Sequence, residues 1–127
     1  MIRLRSAAPT FLVDDVGATA RWYEQELGFH ASFFPKSPPH AYASLQRDGV
    51  ELMLLRLEGY RKPDLSAQRP EGLWDVYIRI AGVVELYEAL RGKPFVQMPL
   101  TKQGYGDTEF EVRDPNGYVL VFGELIG

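Results

Sequence analysis

The sequence predicts an α+β fold in which one unit, a strand followed by a helix and a β-hairpin, is used twice in tandem. Three observations lead there. Apolar residues recur at helical spacing in two segments and alternate with polar ones in the segments around them. Turn signals of the Asp-Gly type, "RDG" at 47–49 and "RDPNG" at 113–117, each separate two alternating runs. The halves also rhyme, because "YEQELG" at 23–28 matches "YEALRG" at 87–92 in its Tyr-Glu start and its closing glycine.

Taken in order, "TFLV" at 10–13 is a short β-rich run, and Asp14 and Asp15 offer N-caps for a helix that runs through Leu27. Val16, Ala20, Tyr23 and Leu27 recur at helical spacing, and Gly28 stops the helix. A "KSPPH" connector leads into a hairpin of "AYASLQ" and "VELMLL" around Asp48-Gly49. The stretch at 59–72, "GYRKPDLSAQRPEG", is rich in Pro, Gly and charge and reads as a linker. "WDVYIRI" is then a strand; Val83, Leu86, Tyr87 and Leu90 mark a helix that Gly92 ends; "EFEVRDPNGYVLVFGE" at 109–124 is the second hairpin. The whole chain, residues 1–127, is expected to form one domain, with module one over about 5–57 and module two over about 74–125.

Composition narrows the function. A net charge of -3 argues against a nucleic-acid or anionic-membrane partner, which needs a concentrated basic patch. Without cysteine, disulfides, thiolate nucleophiles and cysteine metal sites are excluded. The N-terminal "MIRLRSAAPTFL" has too short an apolar run for a signal peptide, and no stretch is apolar enough to span a membrane, so a cytoplasmic protein is expected. No Gly-x-Ser-x-Gly elbow, phosphate-cradling glycine loop or His-Glu-x-x-His pattern is present. His30, after the first helix, and His40, in the connector, read as surface or packing residues.

Strand alternation separates two faces. In module one Ala43, Leu45, Leu52 and Leu54 share an apolar face, while Tyr42, Ser44, Gln46, Glu51, Met53 and Leu55 share a mixed one. In module two Val76, Ile78, Ile80, Phe110, Val112, Leu120 and Phe122 oppose Asp75, Tyr77, Arg79, Glu109, Glu111, Val119 and Val121. The apolar faces must carry the helices. The mixed faces either meet solvent or hold a ligand. Glu109 and Glu111 share a face with backbones about 7 Å apart, a spacing open to paired acid–base work as well as to plain solvation.

Four pieces, "FLVDDVGATARWYEQELGF", "DGVELMLL", "WDVYIRIAGVVELYEAL" and "YGDTEFEVRDPNGYVLVFGE", resemble in order and spacing the vicinal-oxygen-chelate superfamily of glyoxalases, extradiol dioxygenases and bleomycin-resistance proteins. The resemblance implies two tandem βαβββ modules whose sheets curve into a cup with the helices outside. It also implies four inward positions at which metal-dependent members place ligands, and these fall on Ala8, Glu51, Asp75 and Val121. Alanine and valine supply no donor atom, and two carboxylates alone hold a divalent ion weakly.

No metal and no cofactor are therefore expected, and the chain is most similar to the bleomycin-resistance branch, whose members sequester a ligand without turnover. In that branch a proline in the place of Pro9 marks where an N-terminal strand crosses to the partner subunit, and the ligand groove lies at the dimer interface. The resemblance thus implies a homodimer that binds an aromatic or cationic small molecule. The loop "KPDLSAQRP" departs from the branch and leaves the ligand's identity open. From the mixed faces, Tyr42, Ser44, Glu51, Tyr77, Tyr105, Glu109 and Glu111 are the candidate ligand contacts, with tyrosines for stacking and carboxylates for charge. Two alternatives are a metal-dependent lyase, isomerase or dioxygenase using Glu51 and Asp75, and a structural or regulatory dimer with no small ligand.

Overall fold

The computed structural model describes residues 1–126. In chain order the elements are β1 (Thr10–Val13), α1 (Val16–Leu27), β2 (His30–Phe34), β3 (Tyr42–Arg47), β4 (Val50–Arg56), β5 (Val76–Arg79), α2 (Val83–Leu90), β6 (Val96–Lys102), β7 (Asp107–Arg113) and β8 (Val119–Leu125). This is an α+β fold of two tandem βαβββ modules. Each module closes into its own four-stranded sheet, ordered β1-β4-β3-β2 and β5-β8-β7-β6. Its first strand pairs parallel to its last, and the other pairs are antiparallel. The chain divides into two compact units, Met1–Lys62 and a second that starts at Pro63.

In the first unit, Asp15 caps α1 by accepting from the Ala18 N–H at 3.0 Å, as its short carboxylate at the helix mouth predicts. Gly28 ends the helix in the left-handed conformation at φ 68°. Arg47, at the end of β3, reaches back and donates to the Leu27 carbonyl at 2.8 Å, so an orphan acceptor of the last turn is satisfied from the sheet. Val16, Ala20, Tyr23 and Leu27 then face Phe11, Val13, Ala43, Leu45, Leu52 and Leu54, all 3% exposed or less. The hairpin turns at Asp48, whose φ of 53° a short polar side chain tolerates.

The second unit solves the same problems with different residues. Gly82 precedes α2 and offers no side-chain cap. Glu124 on β8 supplies one instead, accepting from the Gly82 and Val83 N–H groups at 3.0 Å each. In the β7–β8 turn the buried Asp114 accepts from the Asn116 and Tyr118 N–H groups at 2.8 and 3.0 Å, and Gly117 takes φ 91°. That geometry accounts for the "DPNG" sequence. Phe110, Val112, Leu120 and Phe122 pack under α2 with Val83 and Leu90.

The residue pattern by itself gives neither β2 nor β6. Both are edge strands. "HASFF" is short and breaks its alternation at Phe33-Phe34, and β6 carries Pro99 inside the second of two register shifts, Val96/Met98 and Met98/Thr101, which only an edge tolerates. "WDVYIRI" shortens to Val76–Arg79.

Candidate functional site

Across β5, β8 and β7 the mixed face of the second unit is built in rows. Tyr77 stands beside Val121 and Glu111, and Arg79 beside Gly123 and Glu109. Gly123 leaves a gap in the middle of the second row. Tyr77 lies across it: a Cβ on Gly123 would come within 2.1 Å of the Tyr77 hydroxyl and 2.7 Å of its Cζ. Through that gap the Tyr77 hydroxyl donates to Glu109 Oε2 at 2.5 Å. The hydroxyl of Tyr105, on the loop before β7, donates to Oε1 of the same carboxylate. Glu109, 3% exposed, therefore has a phenol on each oxygen, which meets the need of a buried carboxylate for partners.

Other side chains fix this arrangement. Trp74 packs edge-on to Tyr77 with centroids 5.6 Å apart, and the Arg79 guanidinium sits 5.0 Å from the ring. Arg79 also donates to the buried Asp107 at 2.7 Å. Of the predicted residues, the structure brings Tyr77, Tyr105 and Glu109 into direct contact, with Glu111 next along β7. The possibility that Glu109 is a solvated sheet residue is removed by its burial. Val119 and Val121 are covered too, at 7% and 1% exposed.

Loss of hydration, then the bond to Glu109 and its charge, push the Tyr105 hydroxyl up to about 12, and the same causes raise Tyr77 further. Both phenols stay protonated donors at neutral pH. Glu111 is also raised, first by desolvation and then by the charge of Glu109, with Arg113 pulling it back. A carboxyl whose folded pKa lies above its unfolded value of about 4.3 adds stability only below that value, and the contribution is lost as pH rises through the folded pKa. Glu111→Gln is thus expected to raise the melting temperature at pH 7 and to leave it unchanged near pH 4. Melting curves across that range check it, and an equal shift at both ends would count against this origin.

In the first unit, Ser44 donates to Glu51 Oε2 at 2.5 Å, and Gln46 donates to the Ser44 hydroxyl at 3.3 Å. Ser44 is buried and Glu51 half-buried. Tyr42 belongs to an apolar row that crosses the whole sheet, Leu12, Leu55, Tyr42 and Phe34, of which Phe34 is 69% exposed. The four family metal positions do not fit an ion. Ala8 and Val121 have no donor atoms, and the Asp75 carboxylate accepts from the Val119 N–H at 2.8 Å, holding β5 to β8. Among the described residues no group of three or more His, Asp or Glu side chains gathers.

One feature had no signal in the sequence. A cleft of about 540 Å³ opens at the start of α1, with Asp14, Arg21, Pro38, Pro39, His40 and Arg56 among its walls. Two of its acidic groups serve the fold, because Asp14 accepts from the Gly59 N–H at 2.5 Å and Asp15 is the helix cap, and the third, Glu58, lies 3.9 Å from Arg56. His40 stacks on Phe33 at 4.2 Å and donates to the Pro35 carbonyl at 2.8 Å.

With this geometry in hand, comparison with known proteins adds three findings. A family model described as the Glyoxalase/Bleomycin resistance protein/Dioxygenase superfamily matches residues 5–122. No curated protein matches the chain. Among solved structures, a glyoxalase-related enzyme from Clostridium phytofermentans is 17% identical, with 98% of each chain covered and a TM-score of 0.76. The bleomycin-binding protein of Streptomyces verticillus, solved with copper(II)-bleomycin, is 22% identical over 96% of this chain and 97% of its own, TM-score 0.68. A bleomycin resistance determinant encoded on the transposon Tn5 is 23% identical over 95% of this chain and 98% of its own, TM-score 0.70. At these identities the likeness is one of fold.

Proposed function

Because the chain belongs to the glyoxalase/bleomycin resistance protein/dioxygenase superfamily, we propose that it is a metal-free binding protein that sequesters an aromatic or cationic small molecule on its mixed faces. The observation that carries this reading is the Tyr77–Glu109–Tyr105 cluster, a buried carboxylate that accepts from the hydroxyls of two aromatic side chains. Flat rings stack on a ligand's rings or cations, and a carboxylate favours positive charge. Ser44, Glu51, Tyr42 and Glu111 complete the binding faces of the two modules. The metal-dependent alternative is disfavoured by its donor set.

The same proposal makes the protein a cytoplasmic two-fold homodimer, with the segment around Pro9 at or across the interface and the ligand groove formed there. Ile2 and Leu4, each 95% exposed, are the side chains a partner would cover. Calorimetry and thermal shift with bleomycin, other cationic aromatics and neutral aromatics test the binding. Tyr77→Ala and Tyr105→Ala should each weaken binding of a neutral aromatic by roughly several-fold to tenfold, as expected for loss of a stacked ring worth about 0.5–1.5 kcal/mol. Failure of every such compound to bind the wild-type protein would refute the reading.

A further inference from the structure

The two phenols on Glu109 are held differently, and the difference points to where a ligand enters. Tyr77 is half-buried and held by the gap over Gly123, the edge of Trp74 and the guanidinium of Arg79. Tyr105 is 60% exposed and sits between Gly104 and Gly106 on a loop closed by two backbone bonds, Gly106 N–H to the Gln103 carbonyl and Gln103 N–H to the Asp107 carbonyl. Gly106, at φ 107°, adopts a conformation that other residues rarely reach. Oε2 of Glu109 is thus covered by a packed, half-buried side chain, whereas Oε1 is covered by one that stands largely in solvent.

We propose that Glu109 Oε1 is the docking point for an N–H cation of the ligand, an alkylammonium or amidinium group, and that Tyr105 occupies this point until the ligand takes its place. The inference rests on the mixed face being the binding face, and it specifies the ligand's chemistry there. A carboxylate 3% exposed must keep a donor on each oxygen, so whatever displaces the phenol has to donate a hydrogen bond. The phenol already makes a charge-assisted bond to the carboxylate, and a cationic N–H donor adds to that bond a positive charge set against the carboxylate's negative one. An anion is rejected, because Asp107, Glu109 and Glu111 share this face of β7 and Asp107 already engages Arg79. Tyr105 is held as a neutral donor up to pH about 12, so a competing donor, and not a change of pH in the physiological range, opens the point.

The experiment uses benzamidine, its neutral relative benzamide, and bleomycin, measured by calorimetry against the wild-type protein, Tyr105→Phe, Tyr77→Phe and Glu109→Gln. Tyr105→Phe keeps the ring and removes the competing hydroxyl, so benzamidinium should bind about tenfold more tightly than to wild type while benzamide gains little. Tyr77→Phe should give no such gain, and Glu109→Gln should abolish the preference for the cation. In the wild-type protein, saturating benzamidinium should speed amide exchange at Gly104–Gly106 as the loop is released. Equal benzamidinium affinity in wild type and Tyr105→Phe, an equal gain for benzamide, or slower exchange would overturn the exchange of donors and leave the binding face standing. If neither wild type nor Tyr105→Phe binds any of the three compounds, the binding face falls and the docking point with it.

Discussion

Gly123→Ala is expected to lower the stability of the protein by about 2–4 kcal/mol, although alanine ordinarily suits a strand interior better than glycine. The cause lies across the strand. The added Cβ would stand 2.1, 2.7 and 2.9 Å from the hydroxyl, Cζ and Cε1 of Tyr77, so the end of the ring has to move off the glycine and away from Glu109. Its departure strips Oε2 of Glu109 of its donor in a place where the residue is 3% exposed. Removing one partner of a buried charge costs far more than the partnership is worth in water. A double-mutant cycle isolates this account. Once Tyr77→Ala has removed the ring, Gly123→Ala should cost nothing and return the roughly 0.5–1 kcal/mol that alanine normally gains. Urea denaturation of the four proteins decides it; a Gly123→Ala loss of the same size with and without the Tyr77 ring would show that the glycine serves the backbone instead.

The dependence of Tyr77 on Gly123 also shows where the sequence stops being readable. The helix over 16–27 and both hairpins were legible because their signals are local: Asp15 at the cap, Gly28 at the stop, Asp48-Gly49 and Asp114-Pro115-Asn116-Gly117 at the turns. The assignment of strand residues to faces follows from alternation alone and agrees with the register of β3 with β4 and of β7 with β8. The edge strands β2 and β6 were not legible, since one alternates over only four residues before Phe34 and the other is broken by Pro99 and its register shifts. The contact of Tyr77 with Glu109 joins residues 32 apart through a gap on a third strand, and depends on a side chain that is not there. Alternation also placed Glu109 and Glu111 as equals. Their environments separate them, because Glu109 is held by two phenols while Glu111, half-buried beside it, has its carboxyl pushed upward. The cleft at the start of α1 arises from the connector folding over a helix end, and no motif announces that.

Phe110→Ala is expected to cost about 3–5 kcal/mol, the largest effect of a single truncation in the second unit. Phe110 is fully buried and fills the space between Tyr87 of α2, 5.3 Å away edge-on, and Phe122 of β8, stacked at 5.6 Å. Truncation removes the ring's apolar contacts, and the strand pair on one side and the helix on the other keep the void from closing. Its neighbour Glu109 points to the opposite side of the same strand, so the two adjacent residues should fail in different ways. Phe110→Ala should shift the urea midpoint strongly, yet bind benzamidine or bleomycin as the wild type does under conditions where it remains folded. Glu109→Gln should keep most of the stability, because the amide oxygen still accepts from one phenol, and lose the preference for a cation. Loss of less than about 1.5 kcal/mol in Phe110→Ala, well below the range for a fully packed ring, would show that the helix side of β7 is not the core. Weaker binding by the folded Phe110→Ala protein would show that the two faces of this strand are not independent.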